Sequence, residues 1–266
     1  MKIMDLGEIS GDMLLFGGIY SNLQALQALI AQAKHRNIPA QNCIFTGDVV
    51  AYCADPYASV QALRAFGCPS LAGNCEVQLA QNALDCGCGF EDGSACSMLS
   101  VAWYAHANAQ VTNDQRVWMA SLPERIIFSH NGLRYAVIHG AASDISGFIW
   151  PTTSQPEFAS QIATLQNQVG GIDRVIAGHC GIPFQVEIDD VLWINTGAIG
   201  LPAHNGSPQT HYISIVNNHL KINVLDYDIN AAFAAMQAVD LTQGYHDTLK
   251  SGYWPSQDTL PADMRL

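Results

Sequence analysis

This chain is short of charge, and above all of positive charge. Lys and Arg number 11 in 266 residues, against 23 Asp and Glu, for a formal net charge of −12. The cations are scattered and form no stripe, so a nucleic-acid backbone would meet repulsion, and nucleic acid is not an expected partner. Missing too is any apolar run of the roughly 20 residues that a membrane span requires. The apolar residues after Lys2 are interrupted by Asp5 and Glu8, unlike a secretory leader. No membrane is therefore expected as a partner, and the expected location is cytoplasmic. In that reducing compartment the eight cysteines should be free thiols. Internal repeats and low-complexity linkers are absent as well, which leaves residues 1–266 as one domain. Charged residues make up only 13 %, about half the usual share of roughly 25 %. So lightly charged a surface is compatible with contact between copies of the chain, as in a homo-oligomer.

What is present is a large apolar fraction, 49 %, enough for a sizeable core and too much for disorder. Short β-type runs at 13–16, 43–46 and 70–71 each end in a Gly or polar turn. Leu23, Leu26 and Ile30 mark a helix face at three- and four-residue spacing, as do Val60, Leu63 and Phe66. Strand followed by helix, twice over, predicts a parallel sheet with helices packed on it, an α/β fold. From 85 to 123 the character changes to a helical, Gly-rich insertion carrying Cys86, Cys88 and Cys96, with a helix over 94–107 and a second from 113 that Pro123 stops. Further β-type runs follow at 125–128, 135–138, 174–177, 191–194, 212–216 and 221–224, interrupted by a helix at 156–169. In ISIVNNHLKINV the central Asn-Asn predicts a hairpin turn.

Four strand ends share one design, an apolar run followed by a polar group beside Gly or Asn. They are CIFTGDVVAYCADP with Asp48, SLAGNCE with Asn74, Cys75 and Glu76, YAVIHG with His139, and RVIAGHCGIPF with His179. In an α/β sheet, residues just past the strand carboxyl ends converge on one crevice. A carboxylate, an amide and two imidazoles there suit Zn, Mn or Fe better than Ca. Taken singly, Asp48 could be an Asx turn or a helix cap, Asn74 a left-handed backbone position, and the histidines ordinary ones. At four successive strand ends the metal reading gains. One corner stands out against this pattern: MLLFGGIYSNLQAL ends its strand in Gly17, Gly18, Ile19, Tyr20 and Ser21, with hydroxyls but neither acid nor base.

The order GD, GN-x-[DE], strand-HG and GH-x-x resembles the calcineurin-like metallophosphoesterases, over about residues 14 to 202. The segments GDVVAYCADPYASVQALRAFG and INTGAIGLP are similar to that family as well. The resemblance implies a sandwich of two mixed β-sheets flanked by helices, with the Cys-containing insertion at 85–123 added. It implies two metals bridged by Asp48, with Asn74, His139 and His179 completing the second metal's ligands. The family's first strand ends in D-x-H, which here matches Gly18, Ile19 and Tyr20. The last His of G-H-x-H matches Gly181, and the His beside the Asn matches Cys75.

The resemblance therefore implies one divalent or trivalent ion per chain (Mn, Fe or Zn), on Asp48, Asn74, His139 and His179. Tyr20 and Cys75 are the candidate catalytic side chains. The phenol donates to a phosphate oxygen, ligates Fe(III) if deprotonated, or fills space that a metal left. Two functions stay open. One is weakened hydrolysis of a small phosphomonoester or phosphodiester. The other is a non-catalytic member that binds a metal, a phosphorylated ligand or a protein partner. The cysteines at 75, 86, 88 and 96, with Cys180 beside His179, could hold a soft metal or an iron–sulfur cluster. Cys-x-Cys lacks the spacing of a zinc knuckle, and packing as small hydrophobes is the expectation.

Overall fold

The computed structural model describes residues 1–217 and 219–266. Two strands, β1 (Ile3–Glu8) and β2 (Met13–Phe16), lead into α1 (Leu23–His35), β3 (Cys43–Phe45), α2 (Pro56–Phe66) and α3 (Asn74–Ala80). The expected helical stretch holds α4 (Ala95–Gln110) and α5 (Asn113–Ser121). Next come β4 (Arg125–His130), β5 (Leu133–Val137), α6 (Gln155–Val169), β6 (Arg174–Ala177), β7 (Pro183–Ile188) and β8 (Val191–Thr196). Then follow β9 (Thr210–Val216), β10 (His219–Leu225), α7 (Ile229–Ala238) and α8 (Tyr245–Ser251).

The strands form a six-stranded sheet in the order β1-β4-β5-β6-β8-β7 and a four-stranded sheet in the order β10-β9-β2-β3. Both are mixed. In the larger, β4–β5 and β7–β8 are antiparallel and the other ladders parallel; in the smaller, only β2–β3 is parallel.

Period-two alternation explains why the two sheets stack. In β2, Met13 and Leu15 join the core between the sheets, while Leu14 and Phe16 join the core beneath the helices on the outer face. The larger sheet repeats the design: Ile126, Phe128, Ile176 and Ile194 point between the sheets, and Ile127, Val175 and Trp193 lie under α6. A strand covered on both faces reads as an unbroken apolar run, and MLLF is one. On α6, Phe158, Ile162, Leu165 and Val169 supply the buried stripe, with the Phe158 ring 5.4 Å from Trp193.

Three differences from the sequence expectation have local causes. β1 is an edge strand with an almost wholly exposed IMDLGE pattern, held by its parallel ladder to β4 rather than by burial, so no apolar signal marks it. The run at 70–71 makes only one bridge, Ser70 to Phe45. β7 alternates exposed and buried positions from Pro183 on and pairs antiparallel with β8. The Asn-Asn turn includes Asn218, which lies outside the described residues; the flanking strands pair antiparallel with Val216 opposite His219. Among the described residues no helix is long and apolar enough to cross a membrane.

Candidate metal centre

Asp48 lies just past β3, Asn74 opens α3, His139 follows β5 and His179 follows β6. The fold brings the four together around one atom, Nε2 of His139. Asp48 Oδ2 is 3.2 Å from it, Asn74 Oδ1 3.1 Å and His179 Nδ1 3.2 Å. All but His179 are buried. The chemistry of this donor set can be worked out from its hydrogen bonds. His139 Nδ1 is 2.7 Å from the Thr46 carbonyl, which can only accept, so Nδ1 carries the ring proton. Asn74 Nδ2 donates to the Cys86 carbonyl at 2.9 Å, which turns Oδ1 toward His139. A neutral His139 thus aims a lone pair at a carboxylate oxygen, an amide oxygen and a second imidazole nitrogen. Only a proton or a cation reconciles four such donors, and the mix of O and N ligands fits a transition-metal ion.

The charges respond accordingly. Burial alone would raise the Asp48 carboxyl, but His139 and His179 beside it hold it below its usual value. Burial would lower His139, yet the Asp48 carboxylate raises it. His179 is pushed down to about 4, by burial and by its contact with His139, so it is neutral near pH 7.

The loops that deliver these groups are tightly specified. Asp48 (φ +64°) and His179 (φ +61°) both sit in the left-handed region, a strain of about 1–3 kcal/mol each that clusters at functional sites. Gly47 allows the approach: at φ +103° its backbone suits glycine, and a Cβ would lie 2.6 Å from His139 Nδ1. Asn195, in the INTG segment, holds the His179 loop by donating to the Gly178 carbonyl at 2.6 Å.

Glu76 fastens two loops to each other. Its buried carboxylate accepts from the backbone N–H of Gly73, Asp48 and Val49 at 2.8, 2.7 and 2.9 Å. Burial and the Asp48 charge still push it up to about 7. Its position in GN-x-[DE] was visible in the sequence, but its task was not. Each buried donor left without a partner costs about 1–3 kcal/mol. Glu76→Ala should therefore lose about 3–5 kcal/mol of stability in denaturant unfolding. A loss under 1 kcal/mol would mean that the loops stand without it.

The corner after β2 is filled by Tyr20. A Cβ on Gly18 would meet the Tyr20 ring at 2.6 Å and Ala198 Cβ at 2.7 Å, while one on Gly181 would lie 3.5 Å from the Trp254 ring and 3.7 Å from the Tyr20 hydroxyl. The phenol is buried at φ +54°, and burial first, then Asp48, raise its pKa well above 10. It therefore stays protonated.

Cys75 is buried behind the centre, with its sulfur 3.6 Å from Asn74 Nδ2. Its hydrogen bond with Cys88 favours the thiolate, but burial and Asp48 hold the thiol well above its ordinary value. All eight cysteines are free and buried. Among the described residues, the only group of three or more His, Cys, Asp or Glu whose ligand atoms lie within 4.8 Å of one another is Asp48, His139 and His179. The insertion does fold over the strand ends, since Cys88 and Cys96 line the cavity beside Asp48 and His179. Tyr52, Tyr245 and Trp254 line it too, and the sequence reading did not single them out. Tyr245 and Trp254 lie beyond the last motif, where nothing marked them; Tyr52 lies within the Asp48 segment.

A sandwich of two mixed sheets with a histidine, carboxylate and amide cluster at its strand ends defines an α/β protein with a candidate metal site. The chain belongs to the calcineurin-like phosphoesterase superfamily, whose domain model matches residues 15–218. It is similar to an uncharacterised protein of Methanocaldococcus jannaschii, 27% identical over 233 residues, covering 81% of this chain and 87% of the relative. In fold it resembles a metallophosphoesterase from Sphaerobacter thermophilus, with TM-score 0.72, 18% identity and coverage of 92% of this chain and 100% of that one. A hypothetical protein from Pyrococcus horikoshii OT3 gives TM-score 0.71 and 13% identity, with coverage of 93% and 99%.

Proposed function

We propose that this protein hydrolyses a small phosphoester with one metal ion, held by Asp48, Asn74, His139 and His179. The observation that carries the reading is the convergence of Asp48 Oδ2, Asn74 Oδ1 and His179 Nδ1 on His139 Nε2 at 3.1 to 3.2 Å. When bound, the ion supplies Lewis-acid polarisation of a phosphoryl oxygen and lowers the pKa of water. The Tyr20 ring supports a site reduced to one metal, because it occupies the space toward Gly18. Tyr20, kept protonated, can donate to a phosphate oxygen from that side. No imidazole stands where the family has its leaving-group acid, and Cys75 does not line the cavity. General acid catalysis is typically worth 10²–10⁴-fold, so esters whose alcohol leaves without a proton should react best.

With added Mn²⁺, slow turnover of bis(4-nitrophenyl) phosphate is expected. Asp48→Ala should lower it by about 100-fold or more, since it removes both a ligand and its charge. The same filled corner favours a second reading, a non-catalytic binder of metal and phosphate. Metal retention without hydrolysis of any ester under Mn²⁺, Fe²⁺ or Zn²⁺ would establish that reading and overturn the first.

A further inference from the structure

The cavity beside Asp48 and His179 measures about 50 Å³ and has aromatic walls. Tyr52 packs on Tyr245 with ring centroids 4.3 Å apart and meets Tyr20 edge-on at 4.8 Å, while Phe148 lies 4.3 Å from the His179 ring. Phe90 and Trp254 add to the lining. No Lys or Arg lines the cavity among the described residues; besides Asp48 and His179, its polar side chains are Tyr20, Tyr52, Tyr245, Trp254, Ser256, Thr259 and the buried thiols, none of them cationic. Glu76, close behind Asp48, can add only negative charge.

From this lining we infer that the ligand is a monoanionic phosphodiester carrying a small aryl or similarly flat apolar arm, rather than a dianionic phosphomonoester. The inference rests on the one-metal phosphate site proposed above. A divalent ion with the Asp48 carboxylate leaves one net positive charge, which a monoanion neutralises. A dianion would leave an uncompensated negative charge against aromatic walls, where burying charge is costly. In a two-metal site the second cation would carry that extra charge; here a phenol stands on that side. At about 10–15 Å³ for each water-sized sphere the cavity holds roughly four. That is about a third of the roughly 150 Å³ that takes a whole benzene, so it seats the inner edge of one flat arm and no polymer. The aromatic faces supply the arm's contact through apolar burial and ring stacking.

The test is calorimetric binding to the Zn²⁺-loaded full chain at pH 8, where a phosphomonoester with a second pKa of roughly 6 is a dianion. The probes are diphenyl phosphate, phenyl phosphate and dimethyl phosphate. Diphenyl phosphate is expected to bind about tenfold tighter, or more, than either of the others. Thr259→Lys adds a cation to the wall and should shift the preference toward phenyl phosphate by about tenfold. Phe148→Leu should weaken diphenyl phosphate and leave dimethyl phosphate unchanged, which keeps the test open if the lysine variant does not fold. Phenyl phosphate binding as tightly as diphenyl phosphate, or dimethyl phosphate matching it, overturns the inference. Binding as expected without any hydrolysis upholds it while removing the phosphoesterase reading. Faster turnover of phenyl phosphate than of an aryl diester does the reverse.

Discussion

Removing the metal should lower the melting temperature by about 5–10 °C, and Asp48→Asn should abolish both the bound ion and this increment. An ion that binds only the folded state, present at 100 times its dissociation constant, adds about 2.7 kcal/mol. For chains of 150–250 residues each kcal/mol moves the midpoint by roughly 2–4 °C. The sign for the variant follows from the hydrogen bonds. In the metal-free wild type, His139 Nε2 faces Asp48 Oδ2 at 3.2 Å and Asn74 Oδ1 at 3.1 Å with a lone pair or an extra proton. Against the pull of burial, His139 and His179 hold the Asp48 carboxyl below its usual value, so the ionised carboxylate stabilises the metal-free fold. Chelated Asp48→Asn should therefore be no more stable than chelated wild type, and metal-loaded wild type exceeds both. Elemental analysis should find at most one equivalent in wild type and none in the variant. Two equivalents, both lost with Asp48, would mean that a second set of ligands exists.

The contrast between β2 and β1 shows where sequence reading succeeds and where it stops. β2 is apolar because both faces are covered, and that demand is written into MLLF. β1 is exposed and owes its strand state to hydrogen bonds with β4, a partner more than 100 residues away, so its own side chains carry no trace of it. The same divide runs through the site. Asp48, His139 and His179 each follow a strand that the pattern located, Asn74 starts a helix that it did not, and donor type alone pointed to a metal. Tyr245 and Trp254 reach the cavity through tertiary packing from the last 25 residues, where no donor spacing distinguishes them from core aromatics. Whether Tyr20 was ligand, donor or filler was open in the sequence. The clash between its ring and a Cβ on Gly18 supports the filler reading, and its protonated hydroxyl keeps the donor role alive.

Rebuilding a second metal position needs more than the ligands themselves. Gly18→Asp alone should destabilise the fold by about 2–4 kcal/mol: overpacking costs about 1–3, and a left-handed backbone adds about 1–2 for most residues and less for Asp. The new Cβ would meet the Tyr20 ring at 2.6 Å and Ala198 Cβ at 2.7 Å, at φ +50°. Tyr20→His withdraws the outer part of the ring and supplies an imidazole, and Ala198→Gly removes the second clash. Gly181→His has ordinary clearance at its Cβ, 3.5 Å from Trp254, so only its φ of +73° is strained. The quadruple variant is expected to recover most of the stability lost by Gly18→Asp and to hold two equivalents of Mn or Zn by elemental analysis. A second cation would also clamp the leaving oxygen, and aryl diester turnover should rise by about tenfold or more. It should also raise affinity for phenyl phosphate relative to diphenyl phosphate, because the extra cation meets the dianion's second charge. Wild-type stability together with two bound metals in Gly18→Asp alone would show that the Tyr20 ring is no obstacle, and the one-metal reading would fall with it.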